Sequence, residues 1–315
     1  MKASAPTRLD FLDACRALAV LAMLFANMMN VFLRRVPEAL SHNEGDVLRV
    51  FDFPAPVFQF LIGVSLVLYL EKRRRPPAAA DARVHALRRF VLLIILGVVL
   101  DGIGALASRP RWGVLQTLGL GGVVATGVAD IGDVAIAVVG LVVLVVFSGA
   151  VNGEVHHSPV AAVAFVPLTL AGLIVGRGMV AGRSPSVFVR RSTIVAAAGL
   201  VLAAATYAAG VPFNKVLGTS SFVALAAATS SLLLVSTASW ERAGLVYPPW
   251  LVAVGANALT AWVLMYVLVY YPAWLAFPEW ERLPLLPGMA ATVTALGVLA
   301  TMAVALGRRG IRIPI

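Results

Sequence analysis

Three residues that can do chemistry together flank the first two apolar runs of the chain: Asn27 near the end of the first, His42 between them, and Asp52 ten residues further on, at the start of the second. An imidazole titrates near neutrality and can serve as general base or as acyl acceptor. An amide N–H beside it can steady a developing oxyanion, and a carboxylate can orient the ring and stabilise its cationic form. That set suits acyl transfer. Each member also has a plain structural reading. His42 can be a solvated loop histidine, and Asn27 an interhelical hydrogen bond worth ~0.6 kcal/mol. Asp52 can cap a helix whose first turn holds Pro54 and Pro56, or lie in one that begins near Asp46 and is kinked by those prolines. The remaining histidines offer little: His156 and His157 are adjacent, so their side chains do not share a helical face, and His85 falls in a basic connection. No metal site is expected, and a single cysteine, Cys15, excludes a disulfide within the chain.

The elements that must position these residues are membrane spans. The chain is 60% hydrophobic and 13% charged with a mean hydropathy of +0.92, against about 25% charged for a soluble domain. It is read as an all-α polytopic membrane protein, one transmembrane domain over 1–315 with short ends at 1–12 and 308–315. Ten apolar stretches are expected to span, near 15–33, 50–70, 90–107, 113–129, 133–149, 159–177, 192–210, 217–238, 248–271 and 287–307. The first is read as a retained helix because no small-residue cleavage signature follows it. With both termini cytoplasmic, 18 of the 25 Lys and Arg residues fall inside, as the positive-inside rule requires. The net charge of +10 therefore reports topology, and with no soluble domain to carry a site, nucleic acid is not an expected partner.

Polar residues point to the interior. The first four segments carry Arg16, Asn27, Asp52, Gln59, Asp101 and Gln116. A charge at the bilayer centre costs at least ~2.5–3.5 kcal/mol, so these side chains must face a polar cavity or each other. The fifth segment, almost all Val, Leu and Ala, is expected to face lipid. Ten spans can form two inverted halves of five, as in transporters, but the halves share no self-similarity. A transporter lined by Asp52, Asp101 and Asn27 stands as the alternative from another class.

At these residues the sequence resembles the catalytic domain of the heparan-alpha-glucosaminide N-acetyltransferase family, a group of transmembrane acyltransferases. The opening "RLDFLDACRALAVLAMLFAN" matches its first-helix signature through Arg8, Leu9, Asp13, Arg16, Met23 and Asn27, and His42, Asp52, Pro56 and Gly63 match its second block without a gap. Further on, "RWGVLQTLG" carries Arg111, Gly113 and Gln116. "NKVLGTSSFV" carries Asn214, Lys215 and Ser221, and "VGANAL" carries Asn257. Departures fall at Ala17, Gly45, Val47 and Gly218. The loss of aromatic surface near His42 and at 218 is expected to reshape the acceptor pocket.

The resemblance implies a single activity: an acetyl group passes from cytoplasmic acetyl-CoA to an amino sugar or other glycan on the outer side. It implies His42, Asn27 and Asp52 as the catalytic set, with Arg16, Arg111, Gln116, Asn214, Lys215, Ser221 and Asn257 contacting the donor. His42 either carries the acetyl group transiently or acts as base for direct transfer. The setting implied is a multi-pass protein of the plasma membrane among lipids, with a homodimer compatible. A non-catalytic member that binds a lipid or partner is the other reading.

Overall fold

The computed structural model describes residues 9–41, 45–73, 78–104, 111–147, 154–155, 158–180, 185–276, 281–311 and 313. Most of them are helical: α1 (Asp10–Phe32), α2 (Pro54–Glu71), α3 (Ala78–Gly104), α4 (Val114–Gly127), α5 (Asp133–Val146), α6 (Pro159–Ala162), α7 (Val166–Gly176), α8 (Pro185–Ala208), α9 (Ser220–Arg242), α10 (Pro249–Ala256), α11 (Ala258–Met265) and α12 (Leu285–Arg308). Among the described residues there is no strand, only one isolated bridge between Leu33 and Leu283.

Each expected apolar segment is helical over most of its described residues. Among the described residues, seven stretches are long and apolar enough to cross a membrane: Asp10–Phe32, Val50–Glu71, Pro159–Met179, Pro185–Ala208, Ser220–Arg242, Ala258–Leu275 and Leu285–Arg308. The count of ten rests on three more. Two of these, α4 and α5, are apolar helices of only 14 residues. The third, α3, has 27 residues, and its first half carries Asp81, Arg83, Arg88 and Arg89.

Local chemistry explains the helix ends. Asp10 and Asp13 stand in the first turn of α1, where the positive end of the helix dipole favours them. Pro54 and Pro56 occupy the first turn of α2, where the N–H they lack has no helical partner. The sequence left two starts for α2, and the one at Pro54 is observed. Asp52, however, does not cap it. Its carboxylate accepts from the Arg49 N–H at 2.9 Å and closes a separate 3₁₀ turn, Val50–Asp52, ahead of the helix. Beyond α11 the chain winds as a π-helix at Tyr266–Tyr270 and again at Pro272–Ala276. Pro272 has no N–H to offer the ordinary ladder, which is one way such a widened turn arises.

The packing centre is α1, which touches α2, α9, α10 and α12. Small residues set the closest approaches, as in membrane bundles that lack a hydrophobic drive between helices. A Cβ added at Gly63 of α2 would collide with the backbone of Thr169 and Leu173 on α7, and one at Gly172 with the backbone of Phe60. Gln59 crosses the same interface and donates to Thr169 Oγ1 at 2.6 Å. At the periphery, only Ile136 and Leu144 of α5 are buried, and Val134 is 79% exposed. That is the lipid-facing character expected of this segment. Its first residue, Asp133, is clamped at 2.5 Å by both Arg177 and Arg191.

Candidate functional site

Helix direction sorts the polar residues to two ends of the bundle. Arg16 donates to Ser65 at 2.5 Å, so the start of α1 meets the end of α2. The start of α3 joins them through the stacked rings of His85 and Tyr69, 6.0 Å apart, as does the end of α12, where Gly307 lies under Asn257. This is the entry end. The far end holds the connection after α1, the 3₁₀ turn before α2 and the loop between α8 and α9. There Asn214 donates to Asp46 at 2.9 Å, and the Lys215 ammonium lies 3.9 Å from Asp52.

Between the two ends lies a cavity of about 580 Å³, walled by α1 to α4 and by α10 and α11, within the range of small-molecule sites. Arg16, Ser65, Tyr69, Arg89 and Asn257 line it among apolar side chains. Arg16 is held between Ser65 and Asp13, the latter at 2.6 Å, so its position is fixed. Tyr69 carries the Arg73 guanidinium 4.3 Å from its ring centre and the Arg89 guanidinium 5.9 Å from it. Val114 and Leu118 of α4 line the cavity and also a second, far smaller one of about 30 Å³, which Pro56, Gln59 and Lys215 help to close. Two side chains of α4 thus separate the large cavity from the Lys215 region.

The far end has its own electrostatics. Asp52 is fully buried. Burial pulls the Lys215 ammonium below its ordinary pKa, and the Asp52 carboxylate opposes that fall. Asn214 organises the loop: its Oδ1 accepts from the Leu217 N–H at 2.9 Å while its backbone N–H donates to Thr219 Oγ1 at the same distance. Ser221 donates to the Pro212 carbonyl at 2.6 Å. These two side chains are spent on the loop that presents Lys215, and neither lines a described cavity.

The other expected residues scatter. Gln116 is buried and donates to Asp101 at 2.7 Å, and Tyr266 donates to the same carboxylate at 2.9 Å. Arg111 is exposed beside this cluster. Asn27 is half-buried on the far third of α1. Its helix touches the 3₁₀ turn of Asp52 through Phe25 and Phe51, with ring centres 5.6 Å apart, but no hydrogen bond joins Asn27 to Asp52. His42 lies outside the described residues, as do His156 and His157. The structure therefore brings Arg16 and Asn257 to one cavity and Asp52, Lys215 and Asn214 to the far end, and leaves Gln116 and Arg111 with Asp101. No group of three or more His, Cys, Asp or Glu side chains placed to hold a metal is found among the described residues.

Sequence reasoning placed the interior among the first four helices and missed two contributions from the ninth segment. One is the break at Asn257 that opens α10–α11 onto the cavity; its only signal was an amide within an apolar run. The other is Tyr266 on Asp101, signalled by the tyrosines of "YVLVYY".

Gly218, one of the departures from the family pattern, lies in a tight turn. Its φ is +60°, a left-handed conformation, and an added Cβ would lie 2.9 Å from Ala164 Cβ and 3.0 Å from Val155 Cγ2. Where the family pattern has an aromatic, this chain has a packed turn. Gly218→Trp is expected to lower the unfolding midpoint of the purified protein, because it combines backbone strain with overpacking, together about 2–4 kcal/mol. An unchanged midpoint would show that the turn relaxes freely.

Residues 8–164 match the family model described as heparan-alpha-glucosaminide N-acetyltransferase, catalytic. No curated protein matches the chain. The blocks holding Asn214, Lys215, Ser221 and Asn257 lie beyond the matched residues. From Arg8 through the first five helices and into the approach to α7, the chain resembles the catalytic domain of the heparan-alpha-glucosaminide N-acetyltransferase family.

Proposed function

We propose that the protein is a transmembrane acetyltransferase that takes its acetyl group from acetyl-CoA at the entry end and delivers it to an amino sugar or glycan at the far end. The observation that carries this reading is the cavity inside a bundle of that family: it runs from Arg16 and Arg89 to Val114 and Leu118, two side chains short of the small cavity beside Lys215. Its residues fit an acyl-CoA. Guanidinium groups at one end suit phosphates, and apolar walls with few polar groups suit a thin pantetheine arm. Arg73, Arg88 and Arg89, together with Arg308 and Arg309 at the end of α12, put the cations at the entry end. In a plasma membrane this end is then cytoplasmic.

The chemistry is acyl transfer. In direct transfer the acceptor amine attacks the thioester carbonyl, a C–N bond forms, the C–S bond breaks and CoA leaves as the thiolate; in the two-step route the His42 imidazole makes that attack and releases the thiolate, and the amine then attacks the acetyl-imidazole carbonyl, forming the amide as the bond to the ring breaks. His42, in the connection tied to the far end through Asp46 and Asn214, takes the amine proton, either directly from the acceptor or after carrying the acetyl group itself. Asp52 supports the resulting imidazolium and Asn27 donates to the oxyanion.

The test is transfer of labelled acetyl from acetyl-CoA to glucosamine by purified protein in lipid nanodiscs. His42→Ala is expected to lower the rate about 10²- to 10⁴-fold without changing CoA affinity. An acetyl adduct on His42 after exposure to acetyl-CoA alone selects the two-step route. Failure of the unmodified protein to bind acetyl-CoA at all sinks the enzyme reading.

A further inference from the structure

The ninth span is broken inside the bundle. Asn257 has φ −122° and ψ 26°, and it separates α10 from α11. Its N–H turns back to the Val254 carbonyl, and the ladder resumes only where the Ala261 N–H reaches the Asn257 carbonyl. By the bounds of the two helices, the N–H groups of Ala258, Leu259 and Thr260 have no acceptor within α11, and the carbonyls of Gly255 and Ala256 have no donor within α10. The Asn257 side chain donates through Nδ2 to the Ala253 carbonyl at 2.7 Å, while its Oδ1, in a residue only 5% exposed, has no partner. All six residues, Gly255 to Thr260, line the large cavity.

Such a break is costly in hydrocarbon, where each unsatisfied backbone group costs several kcal/mol, and it persists only where it faces a cavity that something polar can fill. The packing shows that it is built in. Gly255 lets the end of α10 lie directly on the Asp13–Ala17 turn of α1, and Gly307 of α12 leaves room for the Asn257 side chain. The groups on offer are mixed: three N–H donors sit beside two carbonyls and an amide oxygen, all acceptors. A phosphate would gain the donors but meet three oxygens that repel it. A secondary amide, with one carbonyl and one N–H a few ångströms apart, satisfies both kinds.

We infer that the α10–α11 break is a subsite that holds the acyl donor by a secondary amide of its pantetheine arm. The amide N–H donates to Asn257 Oδ1, and the amide carbonyl accepts from an N–H group at the start of α11. Arg16, on the same turn of α1 that Gly255 contacts, remains for the phosphates. This inference rests on the acetyl-CoA reading and adds where the arm is held.

Displacement of labelled acetyl-CoA from the purified protein, by CoA and by S-acetylpantetheine, separates the alternatives. Asn257→Leu removes the acceptor at nearly constant volume, and is expected to weaken both ligands by the same factor, about tenfold. Gly307→Ala, which crowds the Asn257 side chain without touching the cavity, is expected to do likewise and covers the case in which the first variant does not fold. Weakening of CoA with S-acetylpantetheine unaffected would mean that the break binds phosphate, and overturns the inference. Equal affinity of both folded variants for both ligands also overturns it while leaving the acetyltransferase reading intact. If the unmodified protein binds neither ligand, the acetyltransferase reading itself fails.

Discussion

Gly172→Ala is expected to be among the most damaging single-methyl changes in this protein. The Cβ it adds would overlap the carbonyl oxygen of Phe60 on α2, closer than side-chain carbons ever approach, and would also crowd the Val64 N–H. The obstacle is backbone, so no side chain can rotate away. The two helices must move apart. Separation would strand Gln59 from Thr169 Oγ1 and open the joint that aligns α2, and with it Phe58, Ile62 and Ser65, against the cavity. Gly63→Ala attacks the same joint from the other side, through the Thr169 carbonyl. Overpacking of this kind costs about 3 kcal/mol. Unfolding by SDS in mixed micelles should therefore begin at clearly lower detergent fractions for either variant, and the double variant should lose less than the sum, because a joint already opened by one methyl accepts the second. Wild-type midpoints for both single variants would mean that the helices are not in this contact.

The same glycine shows how much could be read in the sequence. Gly63 entered as one position of a family pattern beside His42 and Asp52, and its role in the structure is contact between helices. Apolar length located most helices to within about five residues, because in hydrocarbon every backbone group must be satisfied inside a helix, but α3 and α8 begin 12 and 7 residues ahead of their apolar runs, at 78 against 90 and 185 against 192, in polar turns that hydropathy does not register. The lipid-facing character of α5 was equally legible, since an all-Val, Leu and Ala segment has nothing polar to turn inward. Partnerships across the fold were not legible. Asp101 is an expensive residue in any reading, yet only the folded chain shows that Gln116 and Tyr266, 15 and 165 residues away, supply its donors. The Asn257 break was hidden for a related reason. Hydropathy averages over a span, and one amide in 24 apolar residues changes the average little while interrupting the ladder completely.

Asn214 and Ser221 carry the converse lesson. The resemblance implied ligand contacts for both, but short polar side chains next to a helix start can satisfy their own loop, and both do so here. Lys215 between them is different because its neighbours fix the loop and its long side chain reaches out of it.

The second large effect is expected at that lysine. Lys215→Met keeps the apolar stem and deletes the charge, leaving the fully buried Asp52 without the ammonium that stands 3.9 Å from it. Losing one partner of a buried ion pair costs about 3–5 kcal/mol, mostly the penalty on the charge left behind. Asp52→Asn in the same background should recover most of the loss, since a neutral amide carries no such penalty, and this double-variant cycle separates the ion pair from simple packing. A double variant no more stable than Lys215→Met would exclude the pair as the cause. The pH dependence has a defined sign. Because burial holds Lys215 below its ordinary value of 10.5, the unfolded chain binds more protons at this residue between the lowered value and 10.5, so this residue makes stability rise with pH across that window. Lys215→Met should flatten that part of the profile. In activity the two substitutions should part company. If Asp52 supports an imidazolium at His42, the double variant regains its fold but not its acetyl transfer, because stability needs only the charge removed while catalysis needs the carboxylate itself.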